Sequence, residues 1–180
     1  MPESQIEVTQ VGDAIEFGDF RVHFLPGKHY PLQGAHAALL GTTIDTPLVP
    51  PAPVAAWGEG RTEALLIEHP LGKVLVIGSA GFVPGALAGV QADVVMLGIG
   101  GLGREDAAYR DAYWQNTVLA VGASRVHPLH WDDLTRPLDR PLVPNVNSKI
   151  DTTIDFLEAR SAADNVTIGW LPFAEAILLF

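Results

Sequence analysis

The sequence predicts an α/β protein with a mixed sheet, in which a β-meander is followed by alternating strands and helices. Before residue 30, apolar residues alternate with polar ones around the turn pairs Gly12-Asp13 and Gly18-Asp19, which is typical of antiparallel strands. After residue 60, apolar runs bounded by glycine alternate with segments whose apolar residues recur at helical spacing. This alternation is typical of parallel strands joined by helices. The 180 residues, 48% of them hydrophobic, suffice for one domain, residues 1–180, with a sizeable core.

The first half of the chain is predicted to contain a meander, a long loop and a hairpin. Meander strands are expected near residues 6–8, 15–17 and 20–24. Residues 41–60 are rich in proline, which cannot pair inside a central strand or continue a helix, so a long loop is expected there. The apolar runs 64–68 and 73–77 flank His-Pro-Leu-Gly and predict a hairpin.

The second half is predicted to alternate between strands and helices. Strands are expected at residues 93–97 and 125–129, a short helix at 84–90, an amphipathic helix from Glu105 to about Asn116, and a final strand pair at 166–171 and 176–179. Ser148 with Asp151 resembles a capping box, and it precedes the apolar residues Ile150, Ile154 and Leu157, which share one helix face.

Composition excludes several classes of function. The chain has no cysteine, so disulfides, thiolate zinc sites and a cysteine nucleophile are excluded, and any metal would rest on His, Asp and Glu. A formal charge of −10 opposes binding to nucleic acid and to anionic membranes. No apolar run is long enough to span a bilayer, and the amino terminus lacks a signal-peptide pattern. We therefore expect a cytoplasmic protein with a small-molecule substrate.

Three chemically capable side chains follow predicted strands. His29 comes after the strand at 20–24, Ser79 after that at 73–77, and His130 after that at 125–129. The carboxyl ends of strands are where α/β proteins place their chemistry, and neutral imidazole is a good ligand for Zn, Mn or Fe. Asp132 is near enough to His130 in sequence to orient it or to steer a water.

The order of these segments resembles the carboxyl-terminal half of a metallo-β-lactamase-fold hydrolase. It is similar in particular to the branch of ascorbate-phosphate lactonase and N-acylphosphatidylethanolamine phospholipase D. The resemblance runs from about residue 20 to residue 138 and rests on His29, on Gly-Ser-Ala-Gly at residues 78–81, and on Leu-His-Trp at 129–131. It implies half of an αβ/βα sandwich, with His29 and His130 as ligands of a divalent metal. Zinc is the expected metal, and Mn and Fe are the alternatives.

Two departures from that family bear on the metal. Ser79 stands where the family has an aspartate that bridges two metals, and a neutral hydroxyl is a poorer ligand for a dication. The family's amino-terminal His-x-His-x-Asp-His motif has no counterpart here. The resemblance therefore implies either a truncated product or one half of an assembly, completed by a homodimer partner or by a missing amino-terminal half.

Other interpretations of the same residues are weaker. Gly-Ser-Ala-Gly lacks the Gly-x-Ser-x-Gly spacing of a nucleophile elbow, so Ser79 is expected in a tight turn. Residues 98–103 satisfy Gly-x-Gly-x-x-Gly, but the next strand ends at His130 instead of an acidic residue, which argues against a dinucleotide site. His127 is expected to face away from His130. His23, His36 and His69 are expected to be surface or satisfied core groups.

The sequence thus predicts a metal-dependent hydrolase acting on an ester, lactone or phosphodiester through a metal-activated water, with Asp132 as the catalytic carboxylate. The competing hypothesis is a catalytically silent fold half that acts by association with a second copy or a partner. No organic cofactor is expected.

Overall fold

A seven-stranded mixed sheet organises the chain, whose structure is a computed structural model that describes residues 2–32 and 34–180. The strands lie in chain order across the sheet. They are β1 Ala14–Phe17, β2 Phe20–Pro26, β3 Glu63–His69, β4 Gly72–Ile77, β5 Val94–Gly98, β6 Arg125–Leu129 and β7 Thr167–Ile168. Helix α1 spans Ala107–Thr117 and helix α2 spans Ile150–Asp164. The predicted α/β class, a meander followed by alternating strands and helices, is confirmed.

Strand direction places the important loops at one edge of the sheet. Strands β1 to β4 pair antiparallel, and β4 to β7 pair parallel. Because β2 and β4 are both antiparallel to β3, they run in the same direction as β5, β6 and β7. The carboxyl ends of β2, β4, β5 and β6 therefore lie together at one edge.

The core lies between one face of the sheet and the two helices. Residues at every second position, such as Leu75, Leu97 and Val126, belong to the buried cluster with Trp114 of α1 and Leu157 of α2. The Trp114 indole also packs edge-on against a ring of α2 and donates to the Asp164 carboxylate at 2.8 Å. Both helices are thereby held against the same face.

The hairpins and loops follow the predictions closely. Strands β1 and β2 join at Gly18-Asp19, and β3 and β4 pair from His69 with Gly72 onward. Residues 41–60 form a long loop with a single short 3-10 helix, Val54–Ala56. Helix α1 begins after Asp106, whose carboxylate accepts the N–H of Tyr109 at 2.8 Å. No helix in the described ranges is long and apolar enough to cross a bilayer.

Several local predictions are wrong. Residues 84–90 form turns instead of a helix, because Gly85 and Gly89 take positive φ angles of 73° and 82°. Ser148 does not cap α2: Lys149 occupies that position with φ 48°, and the Ser148 hydroxyl donates to Asn145 O at 2.6 Å.

The predicted strands nearest the two termini are also wrong. Residues 6–8 lie outside the sheet, since the chain turns at 10–13 before it enters β1. At the other terminus only the short β7 forms, within the predicted 166–171. Residues 176–179 are not a strand, and there the Arg125 guanidinium donates to Leu179 O at 2.8 Å.

Candidate functional site

All four residues singled out from the sequence line one cavity of about 230 Å³ at the carboxyl edge of the sheet. His29 comes from the loop after β2, Ser79 lies two residues after the end of β4, and His130 and Asp132 follow β6. The loop after β5 adds Gly100, Gly101 and Arg104 to the wall. Parallel strand order brings these loops together although they are far apart in sequence.

The His29 imidazole is held in one orientation. Its Nδ1 lies 2.8 Å from the carbonyl oxygen of Tyr30. A carbonyl only accepts, so Nδ1 carries the proton and the neutral ring keeps a free lone pair on Nε2. A backbone carbonyl on one nitrogen is the usual arrangement for a histidine that binds through the other.

Tyr30 connects three parts of the site. Its N–H donates to the Ser79 hydroxyl at 2.9 Å, and its own hydroxyl donates to the Glu105 carboxylate at 2.6 Å. A Cβ added at Gly101 would lie 2.8 Å from the Tyr30 ring, so only glycine lets that loop approach so closely. Burial, followed by the Glu105 carboxylate, raises the pKa of Tyr30 to about 12.

Ser79 acts here as a structural acceptor. Its side chain is buried, and its Oγ accepts the Tyr30 N–H. No histidine is bonded to that hydroxyl in the described part of the chain, so Ser79 lacks the adjacent base of an activated nucleophile. The bond ties the end of β4 to the loop that carries His29.

His130 is exposed and takes an unusual backbone conformation. Its φ is 56°, in the left-handed region that non-glycine residues rarely adopt. A Cβ at Gly100 would lie 3.0 Å from Cδ2 and 3.1 Å from Nε2 of the His130 ring, so the glycine leaves room for the imidazole. Strained conformations of this kind concentrate at functional sites. Neither His130 nor the carboxylate of Asp132 has a hydrogen-bond partner among residues 2–32 and 34–180.

Glu59, at the root of the proline-rich loop, lies close to His29. Burial works to raise the pKa of Glu59, but hydrogen bonds from the Thr62 hydroxyl and the Gly41 N–H, with the attraction of His29 when its imidazole is protonated, hold it below its usual value. A second cavity of about 530 Å³ lies beside this carboxylate and shares His29 and Leu32 with the first. The loop 41–60 thus borders the candidate site.

The remaining histidines lie elsewhere. His127 is buried, does not line the cavity, and has its Nδ1 2.7 Å from Gly169 O. His23 bonds Glu68 at 2.8 Å, and the His69 ring packs against Phe20. The side chain of His36 lies outside the described part of the structure.

The Gly-x-Gly-x-x-Gly segment is explained by packing. A Cβ at Gly98 would lie 2.7 Å from the backbone of Gly78 and Ser79, and one at Gly103 would overlap Lys149 O. The segment also leads into a 3-10 helix, Leu102–Arg104, and α1 begins only at Ala107. These features do not match a phosphate-binding turn that opens directly into a helix.

The donors present do not complete a metal site. Imidazole and carboxylate are suitable ligand types for zinc. Across the described ranges, however, no three His, Asp or Glu side chains lie close enough together to hold an ion. His29, His130 and Asp132 therefore share a cavity without forming a ligand cluster.

Sequence reasoning missed Tyr30, Glu59 and Arg104 as parts of the site. A signal was available for Arg104, because residues 98–103 follow β5, which lies between β4 and β6 in the sheet. Tyr30 and Glu59 carry no such signal, since their roles depend on contacts with the ends of distant strands.

Comparisons with known proteins show distant likenesses in structure. No family model matches the sequence, and no curated protein matches it. One similar solved structure is YhfI from Bacillus subtilis, described as a metallo-β-lactamase fold protein: it is 10% identical with TM-score 0.47, and the match covers 92% of this chain and 52% of that one. Another is CmlA, a diiron β-hydroxylase from Streptomyces venezuelae, 13% identical with TM-score 0.49, covering 92% of this chain and 33% of that one. The chain spans a third to a half of these proteins, and the likeness concerns the fold alone.

Proposed function

We propose that this chain provides the carboxyl-terminal half of the active site of a metallo-β-lactamase-type hydrolase that cleaves an ester, lactone or phosphodiester. The observation that carries the proposal is the meeting of His29, Ser79 and His130, from three separate strand ends, around one cavity with Asp132. The metallo-β-lactamase-fold family that the sequence resembles has its corresponding residues in the same order along the chain.

Within the proposal, His29 and His130 would be two ligands of one divalent ion. Zinc is the expected ion, and Mn and Fe are the alternatives. The chemistry that such an ion supplies is the activation of water. Since the described residues hold no third ligand nearby, the remaining ligands would come from a second copy of the chain.

The chain's own residues have definable tasks in this proposal. The Tyr30 carbonyl keeps the Nε2 lone pair of His29 available. Asp132 carries a carboxylate without a partner in the described structure, placed in the cavity wall, where it can orient a water or take up its proton. Ser79 holds the β4 end to the His29 loop instead of supplying a charge.

The test combines metal content with hydrolysis. Untagged protein is incubated with Zn²⁺, desalted and analysed by plasma mass spectrometry, and then assayed with aryl ester and bis-aryl phosphodiester substrates. We expect bound metal and hydrolysis in the parent, and a loss of both by at least about 100-fold in His130→Ala and in His29→Ala. His69→Ala, at the opposite end of the sheet, is the matched control and should leave both unchanged.

Two results would overturn the proposal. One is a parent protein that retains no metal and hydrolyses none of the substrates. The other is a His130→Ala variant with unchanged metal content and unchanged hydrolysis. Light scattering on the same samples tests whether a second copy supplies the missing ligands, since metal binding by a monomer would place them within this chain.

A further inference from the structure

Arg104 and Lys28 are cations without carboxylate partners at the candidate site. Arg104 lines the cavity that contains His29 and His130, and Lys28 lines the second cavity, which also contains His29. Other cations form ion pairs, as in Arg61 with Glu63 at 2.8 Å and Arg160 with Asp164 at 2.6 Å. Within residues 2–32 and 34–180, neither Arg104 nor Lys28 has such a pair.

The carboxylate next to Arg104 in sequence bonds a tyrosine and forms no ion pair with Arg104 in the described structure. This carboxylate, of Glu105, accepts the Tyr30 hydroxyl at 2.6 Å. The Arg104 N–H donates to Gly101 O at 2.9 Å, which fixes the backbone from which the guanidinium extends. The side chain is exposed, so its five donors face solvent and the cavity.

The neighbouring wall also offers neutral donors. The Asn145 side-chain oxygen accepts the Asn147 N–H at 3.0 Å, which orients the amide so that its NH₂ group points away from that contact. That NH₂ group has no acceptor in the described part of the chain, and both asparagines line the cavity. Donors of this kind complement an anion without adding charge.

The charge balance of the site contrasts with that of the chain. The whole protein has a formal charge of −10. Because Arg61 is paired with Glu63, the two cavity walls carry, among the described residues, two unpaired cations, Lys28 and Arg104, against two carboxylates, Glu59 and Asp132. The walls are thus close to neutral in an acidic protein, so an anionic ligand is repelled less there than at the rest of the surface.

We propose that Arg104 binds an oxyanion, a carboxylate or phosphate group of the substrate, beside the two histidines, with Lys28 adding a second, weaker attraction. The inference rests on the proposed function in that it assigns a substrate class to the same cavity. The planar guanidinium suits either oxyanion, because both accept two parallel N–H bonds.

The first experiment measures binding without catalysis. Inorganic phosphate and, separately, acetate are titrated into the full chain after metal removal with EDTA, and binding is followed by NMR shifts of the histidine ring protons. We expect weak, salt-sensitive binding that falls about tenfold in Arg104→Gln and is partly restored in Arg104→Lys. The tighter of the two ligands identifies the source of the oxyanion.

Arg21→Gln is the matched control, because Arg21 is also exposed and has no carboxylate partner in the described structure but lies outside both cavities. Equal losses in Arg21→Gln and Arg104→Gln would mean that net charge alone attracts the anion, which overturns the proposal. Unchanged affinity in Arg104→Gln would overturn it as well. Thermal unfolding of each variant verifies that it is folded.

The second experiment separates this inference from the proposed function. Hydrolysis of a neutral aryl acetate is compared with that of the corresponding anionic aryl succinate monoester. A selective fall in kcat/KM for the anionic ester in Arg104→Gln supports both proposals. If kcat/KM in Arg104→Gln falls equally for the two esters, the oxyanion site is overturned and the proposed function is not. If the parent binds phosphate through Arg104 but hydrolyses neither ester, the proposed function is overturned and the oxyanion site is not.

Discussion

The two ends of the sheet each carry a cavity, and they differ in whether the charged groups around them have partners. At the amino end, a cavity of about 340 Å³ includes Lys73 and Asp93 in its wall. Lys73 Nζ lies 2.5 Å from the Glu68 carboxylate, and Asp93 accepts the Lys73 N–H at 2.7 Å. At the carboxyl end, His130, Asp132 and Arg104 line a cavity of about 230 Å³ and have no such partners in the described structure.

This contrast concerns hydrogen bonds and ion pairs: the two ends of the sheet differ in how many of their charged groups already have partners. Polar groups that satisfy one another hold the fold together, whereas groups left without partners are available to a ligand. The site residues are, however, supported by a satisfied layer beneath them, made by Tyr30, Ser79 and Glu105. The following substitutions test that division, from the largest expected effect to the smallest.

Gly81→Ala should have the largest effect on stability. A Cβ at Gly81 would overlap the carbonyl groups of Lys28 and His29, so the backbone of the His29 loop must move. We expect a loss of about 2–3 kcal/mol in urea unfolding. Gly78→Ala is the control, since its Cβ would meet no atom within 4 Å, and its midpoint should stay close to that of the parent. Equal midpoints for the two variants would show that the loop is not held against β4.

Ser79→Ala should come next. It removes the acceptor of the Tyr30 N–H, and a buried donor without a partner costs about 2 kcal/mol. Ser124→Ala, at the amino end of β6, removes an exposed hydroxyl and should change stability little. If both serine variants unfold at the same urea concentration as the parent, the Ser79 bond contributes nothing and the two ends are equivalent.

Tyr30→Phe tests the support layer through pH. The folded pKa of Tyr30, about 12, lies above the ordinary value of 10, so its stabilising contribution is complete below pH 10 and is lost as pH rises toward 12. At pH 7 the variant should lose about 1.5 kcal/mol, the value of a hydrogen bond to a carboxylate. Between pH 9 and 11.5 its stability should fall less than that of the parent. Parallel pH curves for the two proteins would contradict the assignment.

Glu68→Gln tests the satisfied amino end and should have the smallest effect. Hydrogen bonds from Lys73, followed by His23, hold the pKa of Glu68 below its usual range. Its contribution is therefore present above the unfolded pKa, near 4.5, and is lost as pH falls through the lower folded value. We expect a loss of about 0.5 kcal/mol at neutral pH, since the pair is partly exposed, and a smaller loss as the pH falls below 4.5. A change in the hydrolysis rate of this variant would contradict the assignment of a purely structural role to the amino end of the sheet.

Much of the secondary structure follows from local patterns. The hairpin at His69 to Gly72 and strand β6 were predicted with nearly the observed bounds, because alternation and turn residues act within a few positions. The helix predicted at residues 84–90 does not form because Gly85 and Gly89 take positive φ angles. Glycine adopts positive and negative φ about equally readily, so the sequence alone does not determine which one occurs. The capping box failed because Lys149 adopts a left-handed conformation and Ser148 bonds backward to Asn145.

The candidate site was predictable in part for the same reason. His29, Ser79 and His130 stand out because each follows a strand, and strand ends can be recognised in sequence. Tyr30 and Glu59 could not be placed in that way, and Arg104 was missed although its segment follows β5. Their relevance depends on which strands are neighbours and on which carboxylates already have partners.

By itself, the sequence determined the mixed α/β class, the meander and hairpin, the long proline-rich loop and the three strand-end residues, because these depend on side-chain periodicity and turn chemistry over short distances. Only the tertiary structure decided that the four loops meet at one cavity, that Ser79 binds the Tyr30 backbone, and that Glu105 accepts the Tyr30 hydroxyl. Those outcomes arise from strand order and from competition for hydrogen-bond partners between residues distant in sequence, which no local pattern encodes.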